Sequence, residues 1–246
     1  MPPRGLIFAF ADVARECEAL RGIASGFIDM NTAYVLDQAA DFLKRIQRSG
    51  STTTTTRWSI PVEQPLCTVW SEGESQRDKK SGFHARAEFS FCWEIRALDE
   101  VQWAGRRHFL LDGLASSVTR IVSKEGATLA CWSTDVGDHQ SPGTHFHAQF
   151  NHFDAPPFPK GFDVPRLPAL PMSPFLAFEY AIGELFQDRW AKHAASDSHD
   201  MQQWRGIQAP RLEKFFEWQT QQMREQRTGS PWMTLKLLKP APNLWV

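Results

Sequence analysis

Tyrosine, cysteine and long apolar runs are all scarce in this chain. Two Tyr occur among 246 residues. The four cysteines, Cys17, Cys67, Cys92 and Cys131, are widely spaced, and none forms a C-x-x-C pair. That spacing argues against a zinc ribbon or a dense disulfide framework and leaves buried free thiols as the expectation. No stretch of about 18 apolar residues is present, so no membrane span is expected. The apolar start Leu6-Ile7-Phe8-Ala9-Phe10 is cut short by Asp12, Arg15 and Glu16. It is too brief for a secretory core, so a cytoplasmic location is expected. Net charge is also nearly missing. Lys and Arg total 27 and Asp and Glu total 28, a formal balance of −1. A broad electrostatic grip on nucleic acid or an anionic membrane is thereby excluded, and any nucleic-acid contact must be local. Walker A, G-x-G-x-x-G, H-E-x-x-H and G-x-S-x-G patterns do not occur, so no cofactor is expected.

What remains is ordinary globular composition, 42% hydrophobic and 22% charged, with two oddities. There are ten Trp, and four of the eight His (His139, His145, His147 and His152) fall within fourteen residues. Apolar residues at helical spacing predict a short helix over 11–22, with Val13, Cys17 and Leu20 on one stripe. They predict a longer one over 29–48, capped by Asp29 and followed by Gly50, with Tyr34, Val35, Ala39, Phe42, Leu43 and Ile46 inward.

From 58 to 153 the period changes to two. Phe89, Phe91, Trp93 and Ile95 alternate with Glu88, Ser90, Cys92, Glu94 and Arg96, predicting a strand with one buried face. Further strands are expected over 106–123 and 127–135, joined by Lys124-Glu125-Gly126, and over 144–152. Seven of the sixteen prolines fall in 156–174, a segment unfit for a helix or central strand. Ser173-Pro174 then opens a helix, as N-cap and first-turn proline, with Phe175, Phe178, Ile182, Leu185 and Phe186 inward. A last helix is expected over about 210–227, with Pro210 near its start and Leu212, Phe215, Phe216, Gln219 and Met223 inward. The tail from Trp232 carries Leu235, Leu237 and Leu238 and suits an extra strand or a partner. The class is α+β: an N-terminal helical segment (1–50), an antiparallel β-meander core with a Pro-rich connector (51–172), and C-terminal helices with a tail (173–246).

The richest chemistry lies in Thr144-His145-Phe146-His147-Ala148-Gln149-Phe150-Asn151. On a strand, Thr144, Phe146, Ala148 and Phe150 face the core. His145, His147, Gln149 and Asn151 form a polar row, about 7 Å apart along the chain. Imidazoles move protons near neutral pH or hold metals. Asp135, Asp138 and His139 lie just upstream as a third ligand or an orienting group. Three roles stay open for the pair: hydrogen-bonded surface histidines, an acid–base couple, or metal ligands. A cupin reading fails at its acidic ligand, where Asn151 and His152 stand instead. Arg166, between Pro165 and Pro168, is held extended and well presented for a phosphate. Arg120 is a second phosphate-binding candidate and Gln149 a polar neighbour. Trp103 with Arg106-Arg107-His108 is the one place where an aromatic is interleaved with basic residues, as base stacking requires.

His145-Phe146-His147-Ala148-Gln149-Phe150, then Val164-Pro165-Arg166-Leu167-Pro168, then Met172-Ser173-Pro174-Phe175-Leu176 ahead of a helix, resembles uncharacterised bacterial families. In these a β-meander ends in H-x-H-x-x and is followed by an R-x-P element and a C-terminal helix. TumE-like toxins of toxin–antitoxin and phage-defence loci are among them. The resemblance spans about 60–180. It implies a stress- or defence-linked protein with His145 and His147 as the matched positions. The long helices at both ends depart from the small toxins and point to a protein partner or a homo-oligomer. The leading expectation is a toxin-like protein acting on RNA or a nucleotide, with His145 and His147 as acid and base, Arg166 as the phosphate holder, and Arg120, Gln149, Trp103 and Arg107 in support. The alternatives are a non-enzymatic subunit binding through its helices and Trp-rich tail, and a His-based metal protein.

Overall fold

Alternation of aromatic and polar side chains over 86–96 becomes the centre of a long strand, β4 (Ala85–Trp103), paired antiparallel along its length with β5 (Arg106–Ser123). In the computed structural model the described residues are 6–49, 54–74, 84–103, 106–136, 144–150, 166–170, 172–225, 229–237 and 244–245, with only the backbone described for 99–103, 166, 237 and 244–245. β2 (Thr56–Ile60) and β3 (Leu66–Cys67) pair with β4 on its outer side. β6 (Thr128–Val136), β7 (Phe146–Phe150) and β8 (Arg166–Pro168) continue the sheet beyond β5, all antiparallel. The β5–β6 turn is made at Gly126, whose φ of 84° suits glycine. The meander over 106–136 matches expectation, and α+β is the class.

Residues 6–9 and 244–245 also enter the sheet. The apolar run at the start is a strand, β1 (Leu6–Ala9), antiparallel to β5. β9 (Leu244–Trp245) lies parallel to β1. Strand β5 therefore changes neighbour along one edge. Residues 108–110 pair with β1, and 115–122 pair with β6. The change falls at a bulge between Ile95 and Trp93, where Gly113 has φ 138°. The Glu94 carboxylate lies where a Gly113 side chain would sit and accepts the Leu114 N–H at 3.0 Å. Only glycine suits this position.

Among the described residues five helices complete the fold: α1 (Phe10–Ile23), α2 (Met30–Ser49), α3 (Pro174–Ala194), α4 (His199–Glu225) and α5 (Pro231–Leu237). Asp29 caps α2, accepting the Thr32 N–H at 2.7 Å, and Ser173 caps α3, accepting the Leu176 N–H at 3.1 Å. The odd-numbered face of β4 meets the helices. Phe89 packs on Phe178, and Phe91 and Trp58 pack on Phe175. Phe89, Phe175 and Phe178 are wholly buried, each worth about 2 kcal/mol relative to exposure. Trp58, Trp93, Trp190, Trp204 and Trp218 are core residues, whereas Trp232 is half exposed.

Two expectations need correction. Pro210 lies inside α4, which begins eleven residues earlier at His199. The buried stripe is Met201, Trp204, Gln208, Arg211, Phe215 and Trp218, leaving Phe216 and Met223 exposed. Its three-and-four spacing runs straight through the proline, so burial outweighs the lost backbone hydrogen bond. Tyr34 is exposed as well, because α2 turns Thr32, Leu36, Ala39, Ala40 and Leu43 inward. The tail segment containing Leu235 is helical, and the extra strand expected of the tail forms, among the described residues, at Leu244 and Trp245.

Candidate functional site

The pleat gives the sheet a second face, turned away from the helices. Phe146 meets Trp218 of α4 edge-on, which fixes the helix side of β7. His147 and Gln149 therefore lie on the other side, as the period of two requires. Cross-strand pairing sets Asp135 opposite His147 and Ser133 opposite Gln149. Arg166 on β8 pairs in turn with Gln149. Backbone register thus sets residues far apart in the chain in one strip across β6, β7 and β8.

Within the strip, His147 is 5% exposed. Its Nδ1 lies 2.9 Å from the Thr144 carbonyl oxygen. A carbonyl only accepts, so Nδ1 carries the hydrogen and donates it. In the neutral ring Nε2 then holds the lone pair. Nε2 is 3.8 Å from Asp135 Oδ2, longer than a hydrogen bond. Asp135 is itself oriented by Ser133, whose hydroxyl donates to the same oxygen at 2.6 Å. The geometry therefore supplies a histidine of fixed tautomer, a carboxylate beside its free nitrogen, and a hydroxyl that positions the carboxylate.

The other expected site residues scatter. His145, 7% exposed, precedes β7, and its backbone N–H donates to the Leu235 carbonyl of α5 at 3.2 Å. Its ring meets Phe146 edge-on. Both histidines are buried, not displayed on a solvated strand. Arg120 pairs with Cys131 on β6, and its guanidinium reaches Glu88 at 3.7 Å and the Thr128 hydroxyl at 3.2 Å. Glu88 also holds Arg86 at 2.7 Å, and Arg86 lies over the Trp70 ring. Arg120 thus belongs to a charge cluster about 13 Å along the sheet from the Asp135–His147 pair. Arg107 donates to the Gln47 carbonyl at 2.6 Å, near the C-terminus of α2. Trp103 pairs with Arg106 at the far end of the β4–β5 hairpin. Asp138, His139, Asn151 and His152 lie outside the described residues. Among the described residues no group of three or more His, Cys, Asp or Glu gathers as a metal site.

Thiols do not compete for a nucleophilic role at three positions. Burial raises the Cys17 thiol well above its usual range, raises Cys131 as well, and pushes Cys67 up to about 11. All three therefore stay protonated near neutrality.

The residue missed by sequence reasoning is Ser133. Its signal was its position two residues before Asp135 on a strand, which puts both on one face. A second buried polar group was missed altogether. Glu16 of α1 is completely buried, and Arg211 of α4 has a side chain 3% exposed. Glu16 Oε2 accepts Arg211 Nη1 at 2.9 Å, and Oε1 accepts Gln208 at 2.5 Å together with the Ser173 hydroxyl. Glu16 stands three residues after Val13 and four before Leu20, on the apolar stripe itself.

No family model, curated protein or solved structure matches this chain.

Proposed function

We propose that the chain acts on the phosphate linkage of RNA or of a nucleotide at the β6–β7–β8 strip, as a toxin-like or defence protein of bacteria. The observation that carries this reading is the His147 ring, with Nδ1–H donated to Thr144 and Nε2 facing the Asp135 carboxylate. A neutral Nε2 takes the proton of a 2′-hydroxyl as that oxygen attacks phosphorus. The imidazolium formed is stabilised by Asp135. His145 is assigned as the acid that protonates the departing oxygen, and Arg166, in register with Gln149, as the phosphate holder.

The test is hydrolysis of RNA and nucleotide substrates by the full chain. Loss of about 10²-fold or more is expected in His147→Ala. A folded His145→Ala/His147→Ala variant with full activity or toxicity overturns the reading. So does failure of diethyl pyrocarbonate to reach His147, since a substrate would then be excluded too.

A second reading is favoured by one other observation. Phe216 is 53% and Trp232 50% exposed, with Met223 and Met233 also uncovered along the end of α4 and on α5. Large exposed apolar side chains suit a protein contact. Light scattering after size exclusion distinguishes this role: Phe216→Ser/Trp232→Ser should convert an oligomer to monomer, and a wild-type monomer that captures no partner overturns it. Deleting 230–246 is the poorer test, because it also removes the β9 strand paired with β1.

A further inference from the structure

The basic element Arg106-Arg107 that the sequence sets beside Trp103 is split by the fold. Arg107 goes to the end of α2, as described above. Arg106 turns into a cavity of about 450 Å³ between α1, the start of β5 and α4. Four cations line it (Arg15, Arg106, Arg211 and Lys214) against one carboxylate, Asp12. A chain of net charge −1 does not concentrate cations in this way through its average composition.

The cations are held differently. Arg211 is buried and immobilised from behind by Glu16 and Gln208. Arg15 and Arg106 share Asp12, with Arg106 at 3.3 Å, so one carboxylate braces two guanidinium groups. Lys214 has no acidic partner among the described residues. Positive charge therefore remains in excess of what the cavity neutralises.

One wall of the cavity carries no side chain. Gly206 lines it, in the middle of α4, and a side chain there would meet nothing within 4 Å. Packing does not require this glycine, and it costs the helix about 1 kcal/mol relative to alanine. Close approach of a ligand to the backbone does call for it. Four residues on, Pro210 also lines the cavity and has no N–H to give the Gly206 carbonyl. An acceptor for a ligand hydroxyl thus sits beside the cations.

We infer that this cavity is a binding site for a phosphate ester carrying at least two negative charges and a free sugar hydroxyl, separate from the His147 strip. The charges meet Arg106, Lys214 and the braced Arg15 and Arg211, and a sugar hydroxyl meets the exposed helix carbonyl. The volume is in the range of small-ligand pockets. Arg106 opens β5, whereas Ser116, the partner of Asp135, lies ten residues on, roughly 30 Å along the strand.

Isothermal titration of the full chain with pyrophosphate, ADP and adenosine tests the site. ADP should bind more tightly than pyrophosphate, and adenosine should give no heat. Arg106→Ala/Lys214→Ala, both exposed positions, should weaken ADP binding at least tenfold, whereas His145→Ala/His147→Ala should leave it unchanged. Absence of heat with both phosphate probes at about 5 mM overturns the inference. So does unchanged ADP affinity in Arg106→Ala/Lys214→Ala. ADP binding that disappears only in the histidine variant would move the phosphate to the strip and also overturn it. Because binding and hydrolysis are read with different variants, either site can fail without the other.

Discussion

Two buried polar networks lie on opposite sides of the sheet, and they are built to different degrees of completion. On the helix side, both oxygens of Glu16 are occupied, by Ser173 and Gln208 on one and by Arg211 on the other. This network ties α1, the N-cap of α3 and the buried stripe of α4 into one unit, and Arg211 also lies over the Phe8 ring of β1. On the far side, Asp135 accepts one hydroxyl and stands 3.8 Å from His147, a gap no hydrogen bond closes. A satisfied network locks elements together, and an incomplete one keeps the capacity to accept a proton or a ligand. The contrast gives the first a structural role in joining α1, α3 and α4, and a chemical role for the second is the one proposed above.

The most damaging way to break that contrast is to strand a charge in the complete network. Arg211→Met should cost about 3–5 kcal/mol in urea unfolding, because it leaves Glu16 buried and unpaired. Glu16→Leu/Arg211→Met should recover most of the loss. A single variant as stable as wild type would show that the network holds nothing. Next in size comes the same change made on both sides. Ser173→Ala removes the α3 cap and a donor to Glu16 and should cost about 2 kcal/mol. Ser133→Ala removes one bond from Asp135 and should cost about 1 kcal/mol or less. Equal costs would erase the distinction.

The smallest expected effect concerns Glu179, next to the complete network. Burial raises its carboxyl pKa above the ordinary 4.5, opposed by the bond from Trp204 Nε1 and assisted by nearby Glu16. The folded chain therefore holds this proton more tightly than the unfolded chain. Stability should fall as pH rises from about 4.5 through the raised value, and stay lowered above it. Glu179→Gln keeps an acceptor for Trp204 and should flatten that slope. A pH profile of unfolding identical to that of wild type would count against the burial argument.

Much of the fold was legible because its signals are local. Alternation marked β4, Gly126 marked the β5–β6 turn, and Ser173-Pro174 marked the start of α3. The strip was half legible. The period of two placed His147 and Gln149 on one face, but the pairing of Asp135 with His147 depends on strand register. Burial of the histidines was not legible, because a strand's alternation tells which side a residue faces and not how deeply that side is covered. Pro210 misled for a related reason: a local helix breaker was overruled by a stripe of buried contacts running along α4.

By itself the sequence determined the α+β class, the order of the central strands and the caps of α2 and α3, since each follows from neighbours within a few residues. Only the tertiary structure decided that residues 6–9 and 244–245 join the sheet and that Glu16 meets Arg211 across 195 positions. It alone gathered four cations around one cavity. Those outcomes depend on which distant segments exclude water together, and a buried charge finds its partner only once the surrounding helices have packed.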